Sequence, residues 1–178
     1  MAAMTEAQRG AGAAGGKFLT FSLAGEEYGL EILKVREIIG LASPGAITRV
    51  PRTPPFIRGV INVRGKIIPL LDLRLKFGMD PAEHTAETCA IIVQPAGLEV
   101  GLVVDRVLEV LDIPAGAIGD TPAFGAGFDT EYLLGVALAG DRVRLLLNIE
   151  KVLSTPEMIT LHSMGRHEDE EGDGTNER

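Results

Sequence analysis

The sequence predicts an all-β protein built as two small, mostly antiparallel curled sheets or barrels, near residues 17–80 and 86–150. Short helices join them, and a final helix over about 156–164 packs back. Three observations carry this prediction. Short apolar runs rich in Ile, Val and Leu recur along the chain, in GVINV, KIIPL, CAIIV and GLVV, and such residues pack well on pleated strands. Glycine-bearing reversals separate them at Ala24-Gly25, Arg64-Gly65, Pro95-Ala96-Gly97 and Gly140-Asp141. The 22 glycines and 10 prolines in 178 residues favour many turns over a few long elements.

Taken in order, Lys17 to Leu23 alternates as a strand, and Tyr28-Gly29-Leu30 resumes extended structure after the turn at Ala24-Gly25-Glu26-Glu27. Ile32, Val35, Ile38 and Ile39 recur at spacings of three or four, as in a short helix or helical turn. The stretch 40–55 carries Pro44, Pro51, Pro54 and Pro55 and reads as a loop with an extended piece at Ile47-Thr48. Gly59 to Val63 and Lys66 to Leu70 then form a hairpin across Arg64-Gly65, where glycine supplies positive φ. A helical turn follows over Asp72 to Phe77, and residues 80–87 are a polar link.

In the second half, Thr88 to Gln94 and Leu98 to Val104 have apolar residues on both faces and read as deeply buried strands. Arg106 to Leu111 follows directly as a further β-like run. A Gly/Ala/Pro-rich connection over 114–130 is expected to be anchored by Phe124 and Phe128. Tyr132 to Ala139 and Arg142 to Ile149 make the last hairpin. Thr155-Pro156-Glu157 is a helix start, with a capping hydroxyl, proline at the first position and acid near the positive end.

Composition narrows the function. The net charge is −8, and from Gly165 onward Glu168, Asp169, Glu170, Glu171, Asp173 and Glu177 face only Arg166 and Arg178. Residues 165–178 read as an acidic disordered tail and residues 1–16, rich in Ala and Gly, as a disordered leader without signal-peptide character. Nothing forms a basic track for nucleic acid, and no apolar run approaches the roughly 20 residues of a bilayer crossing. Cys89 is the single cysteine, which fits a reducing cytoplasm. In TCAIIV it aligns with Ile91 and Val93 as a small core residue.

Enzyme chemistry is not indicated. His84, His162 and His167 share no metal-ligand spacing. The serines lack a GxSxG setting, and the glycines form no phosphate cradle. No cofactor or metal is expected. The positive signal is a polar element, Glu37, Gly59, Arg64 and Gly65, amid Val35, Ile38 and Val60. Apolar contact ringed by a few orienting charges is how interfaces gain affinity and specificity. A stiff hairpin holding Arg64 near Asn62 is a recognition device more readily than a catalytic one.

At these residues the chain resembles the CheW family of bacterial chemotaxis coupling proteins. The resemblance rests on FLTFSLAGEEYGLEILKVREII (18–39), FIRGVINVRGKIIPLLDLRLKFG (56–78), VGLVVDRVLEVLDI (100–113) and EYLLGVALAGDRVRLLLNIEKVL (131–153), in that order, and covers about residues 17–164. The resemblance implies two five-stranded Src-homology-3-like β-barrel subdomains around an extended hydrophobic interior, without catalytic activity. It implies a cytoplasmic scaffold that couples the tips of methyl-accepting chemoreceptors to the regulatory domain of the histidine kinase CheA, with CheW–CheW contacts in the arrays. Carried over position by position, it implies partner-binding roles for Val35, Glu37, Ile38, Ile39, Gly59, Asn62, Arg64 and Gly65, with Val104 and Asp105 on the second-barrel side of a groove. The family's NLRG pattern stands here as Asn62-Val63-Arg64-Gly65. The alternatives are a CheW-like module of a larger CheA or CheV protein, or an unrelated small-molecule-binding β-barrel enzyme. The chain contains no kinase, phosphorylatable-histidine or response-regulator sequence beside it, and no convergent set of titratable groups for the second.

Overall fold

The computed structural model describes residues 15–42, 47–120 and 130–153. Most of the expected leader, the acidic tail, the helix over 156–164 and the anchors Phe124 and Phe128 lie outside them. The strands are β1 (Gly16–Leu23), β2 (Glu26–Glu31), β3 (Val35–Gly40), β4 (Ile57–Val63), β5 (Lys66–Asp72), β6 (Cys89–Val93), β7 (Val100–Val104), β8 (Arg106–Ile113), β9 (Ile118–Gly119), β10 (Leu133–Ala139) and β11 (Arg142–Leu147). Two single-turn helices, α1 (Leu73–Lys76) and α2 (Ile149–Val152), and four 3-10 turns complete the described chain.

The strands form a six-stranded sheet, ordered β8-β1-β2-β11-β10-β9, and a five-stranded sheet, ordered β3-β6-β7-β5-β4. The sixth strand of the first is only β9, two residues paired to Val136 and Ala137. Sheet membership does not follow the expected division of the chain at 80–86. β1 and β2 join β8 to β11, and β3 to β5 join β6 and β7. The physical reason is that a lone hairpin leaves two open edges and an uncovered apolar face. β8 covers one edge of β1–β2, and β11 pairs in parallel with β2 on the other. The parallel pairing of β5 with β7 does the same in the second sheet.

The crossover between sheets sits where a helix was expected. Only Ile32–Lys34 is helical, as a single 3-10 turn, and Val35–Gly40 is strand. The β-branched Val35, Ile38 and Ile39 favour the pleat. A register shift between Val35 and Glu37 lets Val35 face one core and Ile39 another, so the strand mimics helical spacing.

Three apolar clusters form among the described residues. The largest lies between the sheets and joins Leu19, Phe21 and Leu30 of the first to Leu71, Ile91, Val93 and Leu102 of the second. A second fills the curl of the five-stranded sheet around Ile61, Ile68, Leu70, Ala90 and Ile92, and a third fills the six-stranded one around Phe18, Ala137 and Leu146. β6 therefore alternates between two interiors, Cys89, Ile91 and Val93 to one and Ala90 and Ile92 to the other. That explains its continuous apolar sequence. Thr20, 1% exposed, is satisfied at the β1–β8 bulge: its hydroxyl donates to Glu109 O at 2.7 Å and accepts from Glu109 N–H at 3.1 Å.

Candidate functional site

Arg64 and Gly65 form the two-residue loop between β4 and β5, and both have positive φ, 50° and 86°. That is the signature of a primed turn, whose twist matches the strands it joins. The Asn62 side chain locks it: Oδ1 accepts from Gly65 N–H at 2.9 Å. The ladder below is full, from Val63↔Lys66 down to Gly59↔Leu70. Arg64 therefore stands on a rigid support.

Its guanidinium reaches Glu37 of β3 in a bidentate pair, Nη1 donating to Oε1 at 2.8 Å and Nη2 to Oε2 at 2.5 Å. β3 and β4 are the two outer strands of their sheet. The sheet thus curls until its ends meet across an ion pair instead of a ladder. The Arg64 hydrogen bonds hold the Glu37 carboxyl below its ordinary value, and those to Glu37 hold the Arg64 guanidinium above its own. Both stay charged at neutral pH.

Behind the pair lies a cavity of ≈ 350 Å³ with Val63, Ile68 and Ile92 beneath and Arg36, Glu37, Arg64, Lys66 and Glu99 around it. It is the open mouth of the second curled sheet: apolar floor, charged rim. Lys66 sits 3.7 Å from Glu99. Next to Glu37 on β3, Ile38 is 44% exposed, and Leu33, in the 3-10 turn before that strand, is 93% exposed. The mouth presents a partner with a charged rim set by the Arg64–Glu37 pair over an apolar floor.

The structure brings Glu37, Asn62, Arg64 and Gly65 together and puts Ile38 alongside. Val35 is half-buried against the inter-sheet core and Ile39 against the core of the curl. Gly59 is buried, and its role lies in the backbone: an added Cβ would meet Thr48 O at 2.1 Å, where Thr48 pairs with Val60. Val104 is 1% exposed within the inter-sheet core, so its side chain is a packing element in this structure. Asp105 belongs to a separate cluster. Arg74 Nε and Nη2 donate to its two oxygens at 2.7 and 2.5 Å, and Ala24 N–H donates to Oδ2 at 2.8 Å.

This second cluster is a joint between the sheets. Asp72, 3% exposed, accepts from Arg58 Nε at 2.7 Å and caps α1 through Arg74 N–H at 2.9 Å. Arg74 carries the chain of charges on to Asp105 and so to the β1–β2 turn. Burial raises the Asp105 carboxyl, but Arg74 and the Ala24 amide outweigh it, and the group lies below its ordinary value.

Arg36, Glu99 and Leu33 did not emerge from the sequence reading. Leu33 stands out afterwards as the apolar residue that breaks the spacing of its neighbours. Glu99 carried no signal, because it reaches the mouth through the non-local pairing of β7 with β5. Among the described residues no group of three or more His, Cys, Asp or Glu is placed to hold a metal ion.

A family model described as CheW-like domain matches residues 17–157. The chain is 41% identical over 152 residues to the chemotaxis protein CheW of Klebsiella aerogenes, spanning 85% of this chain and 90% of that protein. It is 33% identical over 141 residues to protein FrzA of Myxococcus xanthus, 78% of this chain and 86% of that one. Among solved structures it matches the scaffolding protein TtCheW from Thermoanaerobacter tengcongensis with TM-score 0.72 and 36% identity, over 80% of this chain and 95% of that chain.

Proposed function

The chain belongs to the CheW-like domain family, and we propose that it is a non-catalytic chemotaxis adaptor coupling methyl-accepting chemoreceptors to the histidine kinase CheA within signalling arrays. The observation that carries the reading at residue level is the Arg64–Glu37 fork, held on a locked hairpin at the mouth of one curled sheet. A fork whose support is fixed before binding loses little conformational freedom when a partner meets it. Ile38, next to Glu37 on β3, supplies exposed apolar area, and apolar contact ringed by charge is the arrangement of a partner-binding patch.

The mechanism is scaffolding. A receptor rearrangement alters kinase activity only where the bridge holds its two conformations with different free energies. Two sheets sharing one packed core keep two surfaces in fixed relation, so displacement at one face is delivered to the other. The adaptor works in the cytoplasm, recruited to membrane-associated receptors. No helix among the described residues is long and apolar enough to cross a membrane. The family match covers residues 17–157.

The test is reconstitution. With receptor membranes and kinase, the wild-type chain brings kinase activity under receptor control. Arg64→Ala keeps its unfolding midpoint and loses that control. Undiminished control by folded Arg64→Ala would count against the role.

A further inference from the structure

We propose that Arg36 is the residue through which the mouth of the five-stranded sheet reads its partner, and that it reads a single Asp or Glu side chain carried beside an aliphatic one. The proposal rests on the adaptor reading and deepens it at the same site. Arg36, Arg64 and Lys66 line the mouth with Glu37 and Glu99, so one positive charge stands in excess. Both carboxylates are already engaged. Glu37 takes the Arg64 fork, and Glu99 is paired with Lys66 at 3.7 Å. Arg36 is the cation left over: it is exposed, and among the described residues it forms no ion pair.

A free surface arginine is ordinary, but this one is aimed. In a regular strand successive residues point to opposite faces, so Arg36 would face away from Glu37. The register shift in β3 changes that. Val35 stands opposite Val93 and Glu37 opposite Ile92, which leaves Arg36 as the extra residue between them. Bulges re-aim side chains in this way, and Arg36 and Glu37, adjacent in sequence, line the same cavity. Val63, Ile68 and Ile92 form its floor.

The occupant follows from size and charge. At ≈ 350 Å³ the cavity stands at the lower end of the range for ligand pockets, roughly 300–1,000 Å³, and suits a side chain or two. A guanidinium matches a carboxylate in charge and shape. A phosphate would bring its second charge against Glu37 and Glu99, and a cation would meet the excess positive charge. An apolar side chain alone would cover the floor but strip water from Arg36 without giving it a partner, which is costly. A carboxylate next to an aliphatic group satisfies rim and floor together. Glu99 acts in the opposite sense, since its charge weakens the attraction of the mouth for that carboxylate.

The experiment titrates the full chain with the cognate kinase regulatory domain and with a receptor-tip fragment, and follows the partner whose binding shifts the Gly65 amide signal. Arg36→Ala keeps the wild-type unfolding midpoint and weakens that partner about ten-fold, while the other partner binds as before. Arg36→Glu weakens it further, and one Glu→Arg or Asp→Arg substitution on the partner restores binding. Glu99→Gln moves the affinity the other way, tightening it about two- to three-fold. The Arg36 effect fades as salt shortens the Debye length from about 10 Å at 0.1 M to about 3 Å at 1 M. Binding of that partner to folded Arg36→Ala and Arg36→Glu within about two-fold of wild type would overturn the proposal. So would weaker binding by Glu99→Gln, an Arg36→Glu defect that no charge reversal on the partner repairs, or binding that leaves the Gly65 amide unmoved. Each of those results leaves the adaptor reading standing, because the wild-type chain still binds its partners. A wild-type chain that binds neither partner overturns both.

Discussion

Gly59 and Arg64 were singled out together from the sequence, but the structure gives them different work, and Gly59→Ala separates the two. Gly59 has φ of 137°, a region that costs a side-chain-bearing residue roughly 1–3 kcal/mol. Its added Cβ would also lie 2.1 Å from Thr48 O and 2.8 Å from the Thr48 carbonyl carbon. Both are backbone atoms, so relief requires the Thr48 strand to withdraw. That withdrawal breaks two hydrogen bonds, Thr48 N to Val60 O at 2.9 Å and Val60 N to Thr48 O at 2.8 Å, each worth about 0.5–1.5 kcal/mol net. The sum is about 2–6 kcal/mol. With a urea m-value of roughly 2 kcal/mol/M, the midpoint falls by about 1–3 M. Urea unfolding followed by circular dichroism measures it, and hydrogen exchange at Val60 shows where protection is lost first. A stability within about 0.5 kcal/mol of wild type, the ordinary scatter of surface substitutions, would refute the argument that Gly59 is there for close backbone approach.

Three further predictions test the core and the joint. Asp105→Asn removes the charge that Arg74 and the Ala24 amide share. The pair is partly exposed, at 19% and 29%, so after allowance for screening the loss at neutral pH is about 1–2 kcal/mol. Because the folded Asp105 carboxyl lies below its ordinary 3.8, its contribution is complete above that value and fades as pH falls through the depressed one. The wild-type advantage over Asp105→Asn in thermal unfolding accordingly shrinks in acid, and an equal gap at neutral and acid pH would contradict the assignment. Leu102→Ala, at a fully buried site between the sheets, costs about 2–5 kcal/mol in urea unfolding with m unchanged. Cys89 is buried and its thiol pushed up by that burial, against a partly offsetting Val107 backbone hydrogen bond. A thiol reagent therefore labels the chain only after unfolding, and prompt labelling of the native protein would refute the core placement.

What was legible in the sequence was mostly local. Ala24-Gly25, Arg64-Gly65 and Gly140-Asp141 each carry a positive-φ glycine at the reversal of an adjacent-strand hairpin, and turn chemistry is written in two or three neighbouring residues. The buried character of β6 and β7 was equally plain. The parallel joins of β2 to β11 and β5 to β7 left no mark, since nothing in YGL or LLL states which distant edge will cover it. The same limit governed the site. Glu37 and Arg64 stood out by their chemistry, while Glu99 reached the same mouth through pairing alone. Val104 entered as a candidate through the family resemblance alone, whereas its own strand, apolar on both faces, reads as buried, and the side chain is 1% exposed between the two sheets. The last strand, expected to run to Ile149, ends at Leu147, where α2 turns Ile149 and Val152 into the inter-sheet core.

The central claim is that one rigid body presents separate faces to a kinase and a receptor, with Arg64 reading one of them. It is tested most directly by NMR titration of the full chain, wild type and Arg64→Ala, with the cognate kinase regulatory domain and with a receptor-tip fragment. The account predicts two sets of shifted signals on distinct surfaces, one including the Arg64 hairpin. Folded Arg64→Ala then loses one partner at least ten-fold and keeps the other. Absence of binding to both cognate partners by the wild-type chain, or a single surface for which they compete, would contradict it.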